Sequence, residues 1–285
     1  MIKQLTIIGV GLIGGSLARA LREADVVEEI VGCGQNKGHL QHAIDLGVIN
    51  KYETDVAKAV AGSDMVVLAV PVGAMEAIFR QLKSALSAQT VITDVGSTKG
   101  SVVHAIRTAF GSVPANFVPG HPIAGTEKSG VGASFAGLFH QRRVVLTPLV
   151  NTDQAAVTRV RKMWEATGAV VSQMDVKHHD DVLAATSHLP HLLAFALVDT
   201  LAALDEKAEI FQYAAGGFRD FTRIASSDPQ MWHDICVNNR DAILQVLQRF
   251  QLDLEKLGKA IADNNSDYIL DVFKRAKASR DQFSH

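Results

Sequence analysis

Gly9-Val10-Gly11-Leu12-Ile13-Gly14 spaces three glycines as G-x-G-x-x-G. That spacing is suited to holding a pair of phosphates against backbone. The first glycine permits a tight turn, the second lets the chain approach the ligand, and the third lets a helix pack close to a strand. Amide groups at the start of the following helix, Leu12 and Ile13 among them, would receive the diphosphate. About twenty residues on, such sites commonly carry an acidic side chain that accepts from a ribose 2′-hydroxyl. The corresponding position here is Gly34, followed by Gln35, Asn36 and Lys37. No carboxylate repels a 2′-phosphate there, and three side chains could bind one. The expected cofactor is therefore NADP or NAD, with NADP favoured.

Three further clusters carry reactive side chains. Residues 94–100 read Asp-Val-Gly-Ser-Thr-Lys-Gly. Residues 120–127 read Gly-His-Pro-Ile-Ala-Gly-Thr-Glu. Residues 187–191 read Ser-His-Leu-Pro-His, with Gly-Phe-Arg-Asp-Phe-Thr-Arg at 217–223 downstream. His121, bracketed by Gly120 and Pro122, reads as a loop residue after a strand, where open α/β sheets place ligands. A neutral imidazole there could take a proton from a hydroxyl, or it could simply hold backbone; residue type alone leaves the two even. His178-His179-Asp180-Asp181 with His188 and His191 supply metal-ligand types. Adjacent His178 and His179 point different ways on a helix, and no metal is expected.

These clusters need a scaffold. Apolar runs at 5–10, 29–33, 65–70, 90–93, 117–119, 144–147 and 169–172 read as strands. Helical patterns at 12–24, 37–46, 74–86, 98–110 and 153–167 alternate with them, which argues for a parallel sheet with right-handed crossovers. After Asp175 the strand signal ends. Residues 176–204 read as one long helix, irregular at Pro190. Asp228-Pro229 is a good helix start. Ile243, Leu247, Phe250, Leu254, Leu257 and Ile261 then form a heptad-like seam, read as a helix packing across a homodimer. The expected architecture is α/β: a Rossmann-type doubly wound domain over 1–172, and an all-α dimerisation domain over 173–285.

Composition narrows the function classes. The 285 residues are 47% hydrophobic and 20% charged, which excludes a disordered chain. A net charge of −2 gives no field for nucleic acid or an anionic membrane. Two cysteines exclude a disulfide framework and make a reduced, cytoplasmic setting the expectation. The longest apolar run, 65–79, is cut by Pro71, Gly73 and Glu76, so no membrane span is expected.

In order and spacing, the glycine loop, Leu68-Ala69-Val70-Pro71 and the three clusters together resemble the prephenate/arogenate dehydrogenase family of tyrosine biosynthesis, over nearly the whole chain. The resemblance implies oxidative decarboxylation of a cyclohexadienol, prephenate or arogenate, with hydride passing to the nicotinamide. It implies His121 as catalytic base, with Ser97 bonding the same hydroxyl and orienting the histidine; a helix cap is the other use of Ser97. His191 and Ser187 would line the substrate pocket, with Thr126 from the His121 loop. Arg223 would clamp a carboxylate bidentately, with Arg219 one turn away. Val70, Pro71 and Asp94 would join Gly9, Gly11, Leu12, Ile13, Gly14, Gln35, Asn36 and Lys37 around the cofactor. Two other readings remain: a β-hydroxyacid-type dehydrogenase, for which the helix at 176–204 offers only Lys177 as acid/base, and a non-catalytic dinucleotide-sensing dimer.

Overall fold

The computed structural model describes residues 1–126, 128–205 and 207–282; Glu127, in the histidine-bearing cluster, lies outside them. The chain forms two compact units, Met1–Arg240 and Asp241–His285.

The first unit is organised by six strands: β1 (Ile2–Ile8), β2 (Val27–Cys33), β3 (Lys51–Glu53), β4 (Met65–Leu68), β5 (Val91–Asp94) and β6 (Phe117–Val118). Their order is β3-β2-β1-β4-β5-β6, and every pairing is parallel. Buried side chains alternate between the two faces, as the period of two requires. Leu5, Ile7, Met65 and Val67 enter one core with Leu17, Leu21 and Trp164. Ile8, Val66 and Leu68 enter the other with Phe79, Ile106 and Phe117. This is the doubly wound arrangement. Strand order reverses between β1 and β4, and a crevice for ligands opens at that point.

A second, three-stranded sheet follows: β7 (Gly120–Pro122), β8 (Arg143–Leu146) and β9 (Val170–Gln173). It corrects two expectations. The strands do not form one parallel sheet, because β7 runs antiparallel to β8. Nor is His121 in a loop; it lies in β7 opposite Val145. Gly-His-Pro has almost no intrinsic strand preference. The pairing with Val144–Leu146, which no local signal carries, decides it.

The helical part begins with Val176–Leu183, passes through a π-turn at Ala184–His188, and continues as Leu189–Ala202. The irregularity precedes Pro190, because the ring of that residue crowds the carbonyl four positions earlier and a widened turn relieves it. By length and composition alone, Val176–Ala202 is apolar enough to cross a membrane, which the run-by-run reading missed. Asp180, His179 and His188 within it are nevertheless buried and hydrogen-bonded to protein groups. Asp228 caps helix Pro229–Asn238 by accepting from the Met231 N–H at 2.9 Å. The second unit takes all but the first residue of helix Arg240–Ala262, together with helix Ser266–Gln282, and leaves Phe250, Leu254, Ile261, Leu270 and Phe273 exposed.

Candidate active site

The glycine turn has the geometry its spacing demands. Gly9 adopts φ +96°, and a Cβ on it would meet the Ala69 carbonyl oxygen at 2.3 Å. A Cβ on Gly14 would strike the Gly9 carbonyl oxygen at 2.2 Å, so only glycine lets this helix sit so near the strand. Gly11 is different: nothing lies within 4 Å of its Cβ position. It faces open space, as backbone meant to meet a ligand should. Helix Leu12–Glu23 starts there with no side-chain cap, so its first N–H groups remain available to an anion. Val70 and Pro71 follow β4 across the switch point, and Val70 closes on Gly9. Gln35, Asn36 and Lys37 are exposed beyond β2. Asn36 also caps helix Lys37–Asp45, accepting from His39 N at 3.1 Å. These features fit a dinucleotide.

Asp94 departs from expectation. It is fully buried, and its carboxylate accepts from Gly96 N at 2.8 Å, from Gly120 N at 3.2 Å and from the Lys99 ammonium. Lys99, also fully buried, donates in addition to the Gly120 carbonyl at 2.6 Å. The Asp94 side chain is thus spent inside the protein. It ties the end of β5 to β7, one residue from His121, and is framework rather than ligand. Burial pushes the Lys99 pKa below its ordinary value, with Asp94 acting against that shift.

His121 Nδ1 lies 2.9 Å from His179 Nε2, and His179 Nδ1 lies 2.8 Å from Asp180 Oδ1. Asp180 also accepts from Lys99 N at 2.8 Å and Gly100 N at 2.7 Å. These are the first amides of helix Lys99–Phe110, which has no side-chain cap of its own. Asp180, eighty residues away, is therefore that helix's cap, and Ser97 is not. Ser97 stays half-buried in the preceding turn. Burial alone would raise the Asp180 pKa, but hydrogen bonds from His179 and the two amides outweigh it and hold the carboxyl below its usual range. Burial, then His179 and Lys99, push the His121 pKa well below 6.5, and burial likewise lowers that of His179. Both rings are neutral at physiological pH. Among the described residues, His121 Nε2 makes no hydrogen bond.

A second group adjoins this chain. Asn239 donates to the Asp180 carbonyl at 2.9 Å and to His188 Nδ1 at 3.1 Å. Burial lowers the His188 pKa to about 4. The His191 ring stacks on Trp232 at 3.6 Å between centroids, and its Nδ1 donates to the Ser187 carbonyl at 2.9 Å. Arg223 lies near enough to depress the His191 pKa, after burial. The fold thus brings Arg223, His191 and Ser187 together. Thr126, which accepts from Lys128 N at 3.2 Å, and Arg219, in helix Gly216–Thr222, are exposed. His179, Asp180, Lys99, Trp232 and Asn239 were not foreseen. The His-His-Asp-Asp run was the available signal for the first two, but as a metal site. Among the described residues no group of three or more such side chains could hold a metal ion.

The family model for the prephenate dehydrogenase nucleotide-binding domain matches residues 17–173, and that for the prephenate dehydrogenase dimerization domain matches residues 175–275. The chain is 40% identical to cyclohexadienyl dehydrogenase from Zymomonas mobilis, covering 98% of this chain and 95% of that protein. It is 36% identical to prephenate dehydrogenase from Bacillus subtilis, covering 96% and 74%. The solved structure of prephenate dehydrogenase from A. aeolicus with hydroxyphenyl propionate and NAD+ superposes with a TM-score of 0.93 at 37% identity, covering 100% and 99%. Turn, paired sheets and sequence agree: the chain belongs to the prephenate dehydrogenase family, a group of nicotinamide-dependent oxidoreductases.

Proposed function

We propose that this enzyme oxidatively decarboxylates prephenate and arogenate, giving 4-hydroxyphenylpyruvate or tyrosine. The observation that carries this reading is the buried imidazole of His121, whose Nδ1 is anchored by His179 and whose Nε2 has no hydrogen-bond partner among the described residues. When bound, the dinucleotide supplies the hydride acceptor. Gly9, Gly11, Leu12, Ile13 and Gly14 would hold its diphosphate, with Val70 and Pro71 beside it. Gln35, Asn36 and Lys37 would meet the adenosine ribose and its 2′-phosphate, making NADP the preferred form and NAD the alternative.

His121 Nε2 takes the hydroxyl proton as hydride leaves the carbinol carbon. The bond from ring to carboxylate then breaks, its electrons enter the ring, and CO2 departs. The proton returns from His121 to the oxygen, now phenolic. Ser97 bonds the same hydroxyl. Arg223 grips a substrate carboxylate, His191 and Ser187 line the pocket, and Thr126 and Arg219 stand at its margin. The protein works in the cytoplasm as a homodimer built through the helical domain over 173–285, whose exposed Phe250, Leu254 and Ile261 would be covered by a second copy.

The test follows reduced-nicotinamide absorbance with each substrate and each dinucleotide. Turnover should appear and should fall by about 10²- to 10⁴-fold in His121→Asn, with dinucleotide affinity near normal. Full activity in that variant removes His121 from the role.

A further inference from the structure

We infer that Asp180, acting through His179, selects the tautomer of His121 in which Nε2 carries the free lone pair. The inference deepens the reading of His121 as base and rests on it. Asp180 Oδ1 and Oδ2 receive two backbone N–H groups, so the carboxylate is held ionised and can only accept. The hydrogen in the 2.8 Å contact with His179 therefore belongs to His179 Nδ1. A neutral imidazole has one N–H, so His179 Nε2 is a bare acceptor. The hydrogen in the next contact, 2.9 Å, must then come from His121 Nδ1, which leaves His121 Nε2 bare.

The alternative arrangement fails at the first link. If His179 carried its hydrogen on Nε2, its Nδ1 lone pair would face a carboxylate oxygen at 2.8 Å in a site sealed from water. Histidine in water favours hydrogen on Nε2, the form useless as a base at that atom, so the chain of bonds imposes a state that His121 would not adopt alone. It also steadies the imidazolium once His121 has taken a proton, because Asp180 lies at the far end of the same bonds. The anchor is firm, since Asp180 caps helix Lys99–Phe110 and Asn239 holds its backbone carbonyl. His179 and Asp180 are positioning residues; neither needs to touch the substrate.

The direct test is nitrogen NMR on the unliganded wild-type enzyme with 15N-labelled histidine side chains, the His121 signals being assigned by their loss in His121→Asn. The expected result is a protonated Nδ1 and a lone-pair Nε2 on His121, and a protonated Nδ1 on His179. A protonated Nε2 on neutral His121 overturns the inference. The spectrum needs no turnover, so it is independent of whether His121 is the base, which the kinetics of His121→Asn decide. As a second readout, His179→Phe should lower kcat on the order of 10- to 100-fold, the usual effect of losing an orienting partner, with both KM values nearly unchanged. His179→Gln, whose amide oxygen can accept from Nδ1–H, should recover part of the loss. Wild-type kcat in His179→Phe overturns the inference.

Discussion

Replacing Lys99 by Met tests the frame beneath β7, the strand that carries His121. Lys99 and Asp94 are both fully buried, and the ammonium bridges the carboxylate and the Gly120 carbonyl. Methionine fills most of the volume but removes the charge. Asp94 then keeps only the amides of Gly96 and Gly120, and the Gly120 carbonyl loses a donor. Removing one member of a buried pair costs about 3–5 kcal/mol, because the remaining charge stays desolvated. At roughly 2–4 °C per kcal/mol for a domain of this size, Tm should fall by about 10 °C. Calorimetry on the purified variant measures it. Adding Asp94→Asn should restore part of the loss, since no net charge is then left buried. A Tm drop under about 3 °C in the single variant, or a further drop in the double one, would refute the reasoning.

Acid should destabilise the protein through its buried histidines. Burial lowers the pKa of His121, His179 and His188 in the folded state, so the unfolded chain binds protons first. Their stabilising contribution is complete above about pH 6.5 and is lost as pH falls towards the folded values; for His188, at about 4, it amounts to roughly 3 kcal/mol. A Tm that stays flat between about pH 7 and pH 5 would contradict this. Arg223→Ala should raise the substrate KM by roughly tenfold or more, the worth of a charged hydrogen bond; steady-state kinetics with an unchanged KM would remove Arg223 from the pocket. Gly34→Asp should fit, since only Leu40 lies near the new Cβ, at 3.7 Å. The carboxylate should lower kcat/KM for NADP by about 10- to 100-fold through like-charge repulsion while sparing NAD; equal effects on both cofactors would sink the placement of the 2′-phosphate.

Local chemistry in the sequence determined a good deal. Gly9, Gly11 and Gly14 prescribe the dinucleotide turn because each backbone demand lies within six residues. Alternating apolar runs prescribe β1, β4 and β5, whose burial on both faces follows from their own side chains. Asp228-Pro229 prescribes a helix start through contacts three residues apart. The family motifs singled out His121 and Arg223 as candidate site residues. What escaped detection depends on partners distant in the chain. Gly120–Pro122 becomes a strand only because Val144–Leu146 is there to pair with it. Asp94 looks like a ligand residue until Lys99 and Gly120 close over it. Asp180 reads only as one of several metal-ligand-type side chains until the fold delivers it to a helix start eighty residues earlier. A hydrogen bond stabilises only when both groups have already lost water, and which groups lose water together is a property of packing. Sequence therefore marked His121 as the candidate base and supplied the glycine turn. Tertiary structure alone decided that the His121 ring is met at Nδ1 by one imidazole, itself backed by a carboxylate eighty residues from the helix start it caps.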